Sequence, residues 1–376
     1  MPQLALIHTN RDLENPMLPP RFHRSPDSMG RSRGLLAPAL ALLLFGCADE
    51  PADTGSAVQS SQASGAEAPV VPSGQPLPDL PADTPDWLVT LATADPLAEP
   101  QTHSLFGDPL WAQLDGEGRV AEADEALARD PGNVDLLVAA GRERRHAWQY
   151  RQAMELYTRA IEAAPDDWRA WRFRGHRHLS LREFPAAVAD LEQARELEPL
   201  NWDVSYHLAL AHFLAGDMEA AADEYLRCLA LAEDREAQAA DRAGFRSCAA
   251  NADDPESLVA MAEWAVRALM RSGRDGEATA LLARIPHDLS IETNVAYWHN
   301  LLLHKGLMEE DALLTPGDDG PYRLETVGFG VANRRLAQGD TAGAVDILRV
   351  LMDDEWWPGF GRIAAEAELF RLEGGE

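Results

Sequence analysis

Pro131, Pro165 and Pro199 stand 34 residues apart. A fixed period of this length constrains the chain more than any other feature, because it marks a supersecondary unit repeated in space and stacked on its neighbours. The text between the prolines keeps the same register. A small residue, Gly141, then Gly175, then Ala209, falls where one helix of each unit must approach another closely. The second helix of each unit carries Ala153, Tyr157 and Ala160, then Ala187, Leu191 and Ala194, then Ala221, Tyr225 and Cys228. Small and bulky residues recurring on one helical face are what close interhelical packing requires. Proline suits the end of each unit because it cannot continue a helix. Runs of β-branched residues are scarce and helical periodicity is widespread, so the spacing predicts an all-α chain.

These three units, about residues 134 to 233, resemble the tetratricopeptide (TPR) repeat family in both period and positional identity. The resemblance implies a right-handed α-solenoid of helix-turn-helix hairpins. A half-repeat precedes the three, with Gly118 to Asp130 as its second helix. Further hairpins are expected at Glu256 to Met270 with Asp275 to Ile285, at Thr293 to Leu303, and at Glu325 to Ala337 with Thr341 to Leu351, the last pair joined at Gly339-Asp340. Phe360 to Leu372 is expected as a capping helix, since a terminal repeat otherwise exposes its apolar face. Residues 256–372 are similar to the C-terminal half of exported bacterial TPR proteins, a likeness that implies fold and location but no mechanism.

The front of the chain reads as an address. From Met29, Arg31 and Arg33 precede an apolar run from about Leu35 to Phe45, followed by Gly46 and Cys47. That is the pattern of a secretory signal, too short to remain as a spanning helix. Leu44-Phe45-Gly46-Cys47 resembles the bacterial lipobox, with Phe45 where that motif favours a small residue. The resemblance implies that Cys47 is acylated and becomes the first residue, and several acyl chains suffice for stable membrane anchoring. Ala48 beside it, instead of aspartate, suggests the periplasmic face of the outer membrane. The expected organisation is an upstream extension at 1–28, a signal peptide at 29–46, a lipidated acidic linker at 47–100, repeats at 101–233, an insert at 234–255, and C-terminal hairpins with their cap at 256–376. The linker is expected to be disordered, because a stretch without Lys or Arg and with few aromatics buries too little apolar surface.

Formal net charge is −29, which argues against a nucleic-acid partner, since phosphate binding needs a basic footprint. Between Gly141 and Arg182, however, ten arginines face five acids. TPR arrays bind extended peptides along a concave surface lined by first helices. Carried onto this chain, that surface offers Arg142, Arg145 and His146 from the first repeat, Arg169, Arg172 and His176 from the second, and Tyr206 and Phe213 from the third. Such a groove suits an acidic peptide or a C-terminal carboxylate held by bidentate Arg contacts, with the two aromatics as apolar anchors. A solvated arginine face is the equally weighted reading. The chaperone-type carboxylate clamp is not reproduced, because Val138 stands where that clamp has lysine and Arg142 where it has asparagine.

Cys228 and Cys248 are open to a disulfide in an oxidising compartment, although spacing alone does not establish the geometry. No metal site is expected, since His176 and His178 are two apart on a helix and cannot share an ion. No cofactor motif, HExxH or GxSxG is present, and Gly328-Phe329-Gly330 lacks phosphate-binding company. The expectation is a non-catalytic scaffold that binds other envelope proteins. Two alternatives are kept: a peptidoglycan or carbohydrate-binding accessory that uses exposed coplanar tryptophans and, with less support, a hydrolase.

Overall fold

The computed structural model describes residues 76–231, 247–249, 254–315, 321–353 and 355–375. Cys47, the signal segment and most of the 234–255 insert lie outside them. The first repeats begin where their caps dictate. Helices α3 (Val134–Glu143), α5 (Trp168–Ser180) and α7 (Trp202–Ala215) each follow a capping side chain, Asn133, Asp167 and Asn201. These caps are themselves 34 residues apart. Asn133 accepts from the Leu136 N–H at 3.2 Å, Asp167 from the Arg169 N–H at 3.0 Å and Asn201 from the Val204 N–H at 3.0 Å, satisfying donors that a helix start leaves unpaired. The periodic prolines stop the partner helices, α4 (Tyr150–Ala163) and α6 (Phe184–Leu197). Ala164 and Glu198, each immediately before a proline, leave the helical region with φ of −146° and −140°. With α8 (Met218–Leu231) these helices form three hairpins of alternating first and second helices.

The turn inside each hairpin also recurs. Trp148, Arg182 and Gly216, again 34 apart, adopt left-handed backbone at φ 53°, 66° and 92°, and Gly273, Gly306 and Gly339 do the same in the later hairpins. In each turn the next residue's N–H reaches the carbonyl five positions before it, as Gln149 to Arg144 at 3.0 Å and Glu183 to His178 at 2.9 Å. This is the Schellman closure of a helix end, which favours glycine. Holding a tryptophan or an arginine there costs on the order of 1 kcal/mol each.

The rest of the array follows the expected hairpins. Helix α2 (Arg119–Ala128) forms the half-repeat. Helices α9 (Pro255–Arg271) and α10 (Asp275–Arg284) pair, α11 (Val295–His304) is followed by a single short turn of helix, α12 (Glu310–Leu314), and α13 (Pro321–Ala337) pairs with α14 (Thr341–Met352). Helix α15 (Phe360–Leu372) closes the chain. The architecture is therefore all-α and made of stacked helix pairs. Among the described residues the small exception is an antiparallel two-strand hairpin, β1 (Thr102–His103) with β2 (Pro109–Leu110).

Residues 76–100 correct the expected linker. They are ordered and carry helix α1 (Asp86–Thr93). Leu88 and Leu91 of α1 are buried with Leu127, Leu137 and Leu156 in one apolar cluster, and the Arg159 guanidinium lies 3.9 Å from the centroid of the Trp87 ring. Four apolar residues in a turn and a half offset an ordering cost that the segment's average composition conceals.

Close approach within the hairpins has the expected cause. A Cβ on Gly141 would stand 2.5 Å from the Tyr157 ring, and one on Gly175 would stand 2.7 Å from Leu191 Cγ. Gly175→Ala should therefore lower unfolding free energy in urea by about 1–2 kcal/mol, despite alanine's better helix propensity, because overpacking outweighs it. Gly132→Ala, with nothing within 4 Å of the new Cβ, should leave stability almost unchanged. Equal effects at the two sites would remove close packing as the reason for Gly175.

Candidate peptide-binding face

The eight residues assigned to a groove separate into an accessible end and a filled one. At the accessible end, Arg142 closes α3, and Arg145 and His146 follow it in a single 3-10 turn, Arg144–Ala147. All three are half-buried. The Arg142 guanidinium lies over the Phe173 ring at 5.4 Å, and Arg177 lies over Tyr150 at 4.4 Å. Burial lowers the Arg145 pKa, and the charges of Arg142 and Arg177 lower it further. The same effects, burial first and then Arg145 and Arg119, bring His146 down to about 4, so it is neutral at pH 7. Several positive charges thus converge on the first-helix side of the first two repeats, where a partly desolvated setting strengthens their pull on an anion.

Beyond this end the face is occupied by the protein itself. Helix α15 lies against successive first helices. Its Phe360 ring is 5.1 Å from His176 of α5 and 5.9 Å from His207 of α7. Arg371 donates to the Leu214 carbonyl of α7 at 2.8 Å, Glu368 accepts from Arg271 of α9 at 2.5 Å, and Glu325 of α13 accepts from the Arg362 N–H at 3.0 Å. The helix is buried on all sides from Phe360 to Leu369. It lies within the face that the groove was expected to present.

The proposed anchors are corrected by their own packing. Tyr206 stacks on Trp202 at 5.0 Å, and Phe213 packs edge-on against Trp264 at 5.2 Å. Both are core residues, at 2% and 0% exposure, and cannot anchor a peptide. Arg172 is buried and paired with Asp203, donating from Nη2 to Oδ1 at 2.6 Å. His176 and His207 lie ring to ring at 4.5 Å. Arg169 is turned toward Asp167 and Asp135, at 2.5 and 2.8 Å. Of the eight, Arg142, Arg145 and His146 remain together at an accessible edge.

Sequence reasoning missed Arg182 and Glu366. Arg182 donates to both Glu366 oxygens at 3.2 and 2.7 Å, and Glu366 also accepts from the Leu105 N–H at 2.6 Å and from Arg362 at 2.8 Å. Burial pushes the Glu366 carboxyl up, but Arg182 and its other donors outweigh burial and hold it below the usual range. One signal pointed to Arg182: it stands midway between Trp148 and Gly216 in the 34-residue register, at a position that favours glycine.

Cys228 and Cys248 are joined by a disulfide across a sequence separation of 20, with Cα atoms 5.2 Å apart. The bond ties Ser247–Ala249 to α8. The same short segment bridges Asn201, and the Cys248 N–H reaches the Leu200 carbonyl at 2.9 Å. Among the described residues no cluster of three or more His, Cys, Asp or Glu could hold a metal, and no helix is long and apolar enough to cross a membrane. Of the tryptophans, Trp148, Trp202, Trp264, Trp298 and Trp357 are buried, Trp87, Trp168, Trp171 and Trp356 are half-buried, and Trp111 is the exposed one among the described residues.

Residues 174–243 match the tetratricopeptide repeat family model. This stretch takes in most of the second hairpin, α5 with α6, and all of the third, α7 with α8. No curated protein matches the chain. Among solved structures, that of YrrB, a TPR protein with an unusual peptide-binding site, is similar at 13% identity over 66% of this chain and 99% of its own, with a TM-score of 0.36.

Two outcomes follow from this chemistry. Breaking the disulfide with Cys228→Ala and Cys248→Ala should lower unfolding free energy by about 3 kcal/mol, the value for a closed loop of roughly 20 residues. A urea titration under non-reducing conditions measures it, and an unchanged midpoint would mean the cross-link does not constrain the unfolded chain. The histidines set a pH dependence. Burial holds His207 and His304 down to about 3 and His146 to about 4, against about 6.5 in the unfolded chain. As pH falls below 6.5 the unfolded chain takes up protons that the folded chain refuses, so stability present above 6.5 is lost progressively toward pH 3–4. Glu263, which burial pushes up to about 7, acts oppositely between pH 7 and 4.5 but is outnumbered. Stability should therefore fall between pH 7 and 5, with a shallower slope in His207→Gln. An identical slope in that variant would contradict the assignment.

Proposed function

We propose that this chain is a non-catalytic scaffold of the bacterial envelope, anchored through lipid on Cys47 at the periplasmic face of the outer membrane, and that its repeats bind acidic peptide segments or C-terminal carboxylates of other envelope proteins. The observation that carries the reading is the convergence of Arg142, Arg145 and Arg177 on the first-helix side, where their charges act on one another and burial weakens the screening. A carboxylate placed among them would relieve that repulsion and accept bidentate hydrogen bonds from a guanidinium. The tetratricopeptide match over 174–243 supports a binding role, and the disulfide fits an oxidising compartment.

Affinity capture with the full chain from envelope extract tests this reading. Recovery of one or a few proteins with acidic segments is expected, weakened by moderate salt as exposed charge contacts are. Arg142→Glu combined with Arg145→Glu should reduce recovery at least tenfold while leaving the helical circular dichroism signal intact. Arg172 is left alone, because reversing a buried charge already paired with Asp203 would unfold the repeat. Undiminished capture by the double variant would discard the arginine end as the binding site. Fractionation after labelling with a palmitate analogue, with Cys47→Ala as the control, tests the anchor.

A further inference from the structure

The segment Glu355–Leu372 meets the repeats at places that recur every 34 residues. Each of the three left-handed turn positions contacts it. Trp148 stands edge-on to Trp356 at 5.1 Å and to Trp357 at 5.7 Å. Arg182 holds Glu366, donates to the Trp357 carbonyl at 3.1 Å and lies 5.5 Å from the centroid of the Trp357 ring. At the third position, Gly216, a Cβ would come within 3.5 Å of Arg371 Cδ, the same Arg371 that reaches Leu214. Glycine fills this turn position in the later hairpins at Gly273, Gly306 and Gly339. The two repeats that place a strained, non-glycine residue there are the two whose turn side chains reach the C-terminal segment. Strain kept at specific positions points to a function for the residues that bear it.

The two sides of α15 are held differently. Toward α13 the approach is backbone to backbone, since a Cβ on Gly361 would stand 2.5 Å from the Glu325 carbonyl oxygen. Toward the repeats the attachment is made by side chains: aromatic edges, one buried ion pair and one carbonyl contact. A buried ion pair adds specificity with little net stability over apolar packing, and an incoming helix that carries the same groups replaces each of these contacts.

We propose that the first-helix face and turn edge of the repeats at 134–231 form a helix-binding site, filled in the free chain by Glu355–Leu372 as a tethered ligand. The partner class is read from that occupant: a helix with aromatic residues at its N-terminal end and a buried glutamate less than two turns later, matching the Trp148 edge, the His176–His207 pair and Arg182. A partner helix of this kind displaces the resident one. The inference rests on the peptide-binding reading of this face and names both its ligand class and its regulation.

Native-state hydrogen exchange of the full chain tests it without any partner. Amides of 360–372 should exchange through an opening less sensitive to denaturant than the one that exposes α7, and at least tenfold faster. Exchange of 360–372 only together with α7 would overturn the proposal. Arg182→Gly removes the clasp and the backbone strain while leaving Glu366 its bonds to Arg362 and the Leu105 N–H. This variant should speed exchange at 360–372 at least tenfold more than at α7. Glu366→Gln, which weakens the resident helix while leaving Arg182 to receive an incoming glutamate, should bind a fluorescent synthetic peptide of residues 355–376 at least tenfold more tightly than the unaltered chain. A folded Glu366→Gln protein that gains no peptide binding would overturn the proposal; if that variant does not fold, the exchange pattern of the unaltered chain still decides. Failure here leaves the Arg142–Arg145 capture result standing, and failed capture leaves the exchange result standing, so the two readings fall separately.

Discussion

Each N-terminal hairpin depends on one small residue facing one bulky one. Gly141 against Tyr157 and Gly175 against Leu191 set the distance between first and second helices, and Ala209 and Tyr225, both fully buried, are the corresponding pair in the third. With that distance fixed, the caps at Asn133, Asp167 and Asn201 fix where each first helix begins, and the Schellman turns fix where it ends. The stacking of one hairpin on the next then leaves little freedom, because packed interiors tolerate neither gaps nor excess volume. The first-helix face inherits its shape from these local choices.

Much of this was legible because it is local and periodic. The prolines, the small–bulky pairs and the apolar spacing of Phe360–Leu372 all act within a few residues of themselves, so helix positions follow from the text. The ordered stretch at 76–100 was not legible. Its composition is that of a linker, and only tertiary contact shows Leu88 and Leu91 entering the same cluster as Leu127 and Leu156. Tyr206 and Phe213 were assigned to a groove because first-helix positions usually face one. They became core because Trp202 and Tyr225 enclose the one and Trp264 and Phe329, from later helices, enclose the other. The Arg182–Glu366 pair spans 184 residues, and no spacing rule links an arginine to one glutamate among so many acids.

Charge in this protein works at two scales. Overall the chain is strongly acidic, which discourages association with polyanions. Inside, acids and arginines meet in dry pairs: Asp124 with Arg144 at 2.8 Å, Glu263 with Arg267 at 2.5 Å and Glu366 with Arg182 at 2.7 Å, all essentially inaccessible. Such pairs add less stability than apolar replacements of equal volume would, and they penalise any arrangement that separates the partners. They therefore select among packings that hydrophobic burial alone would leave nearly equal in energy. At Arg145 like charges also meet, since those of Arg142 and Arg177 lower its pKa beyond what burial does.

A solenoid is ordinarily one-dimensional, with each repeat touching only its neighbours, so units can be added or lost at little cost to the others. The bond from the Leu105 N–H to Glu366, joining residues 261 apart in sequence, ends that freedom. The number of hairpins between the β1–β2 loop and α15 must now bring these two points together, so duplication or loss of a single repeat would break the contact even if every hairpin stayed intact. Folding feels the same condition: the hairpins can form from local contacts, but the last contact must close a loop of most of the described chain, which is slow. The repeat count is thus fixed by geometry at the two ends, and the protein has exchanged the extensibility of its architecture for a defined size.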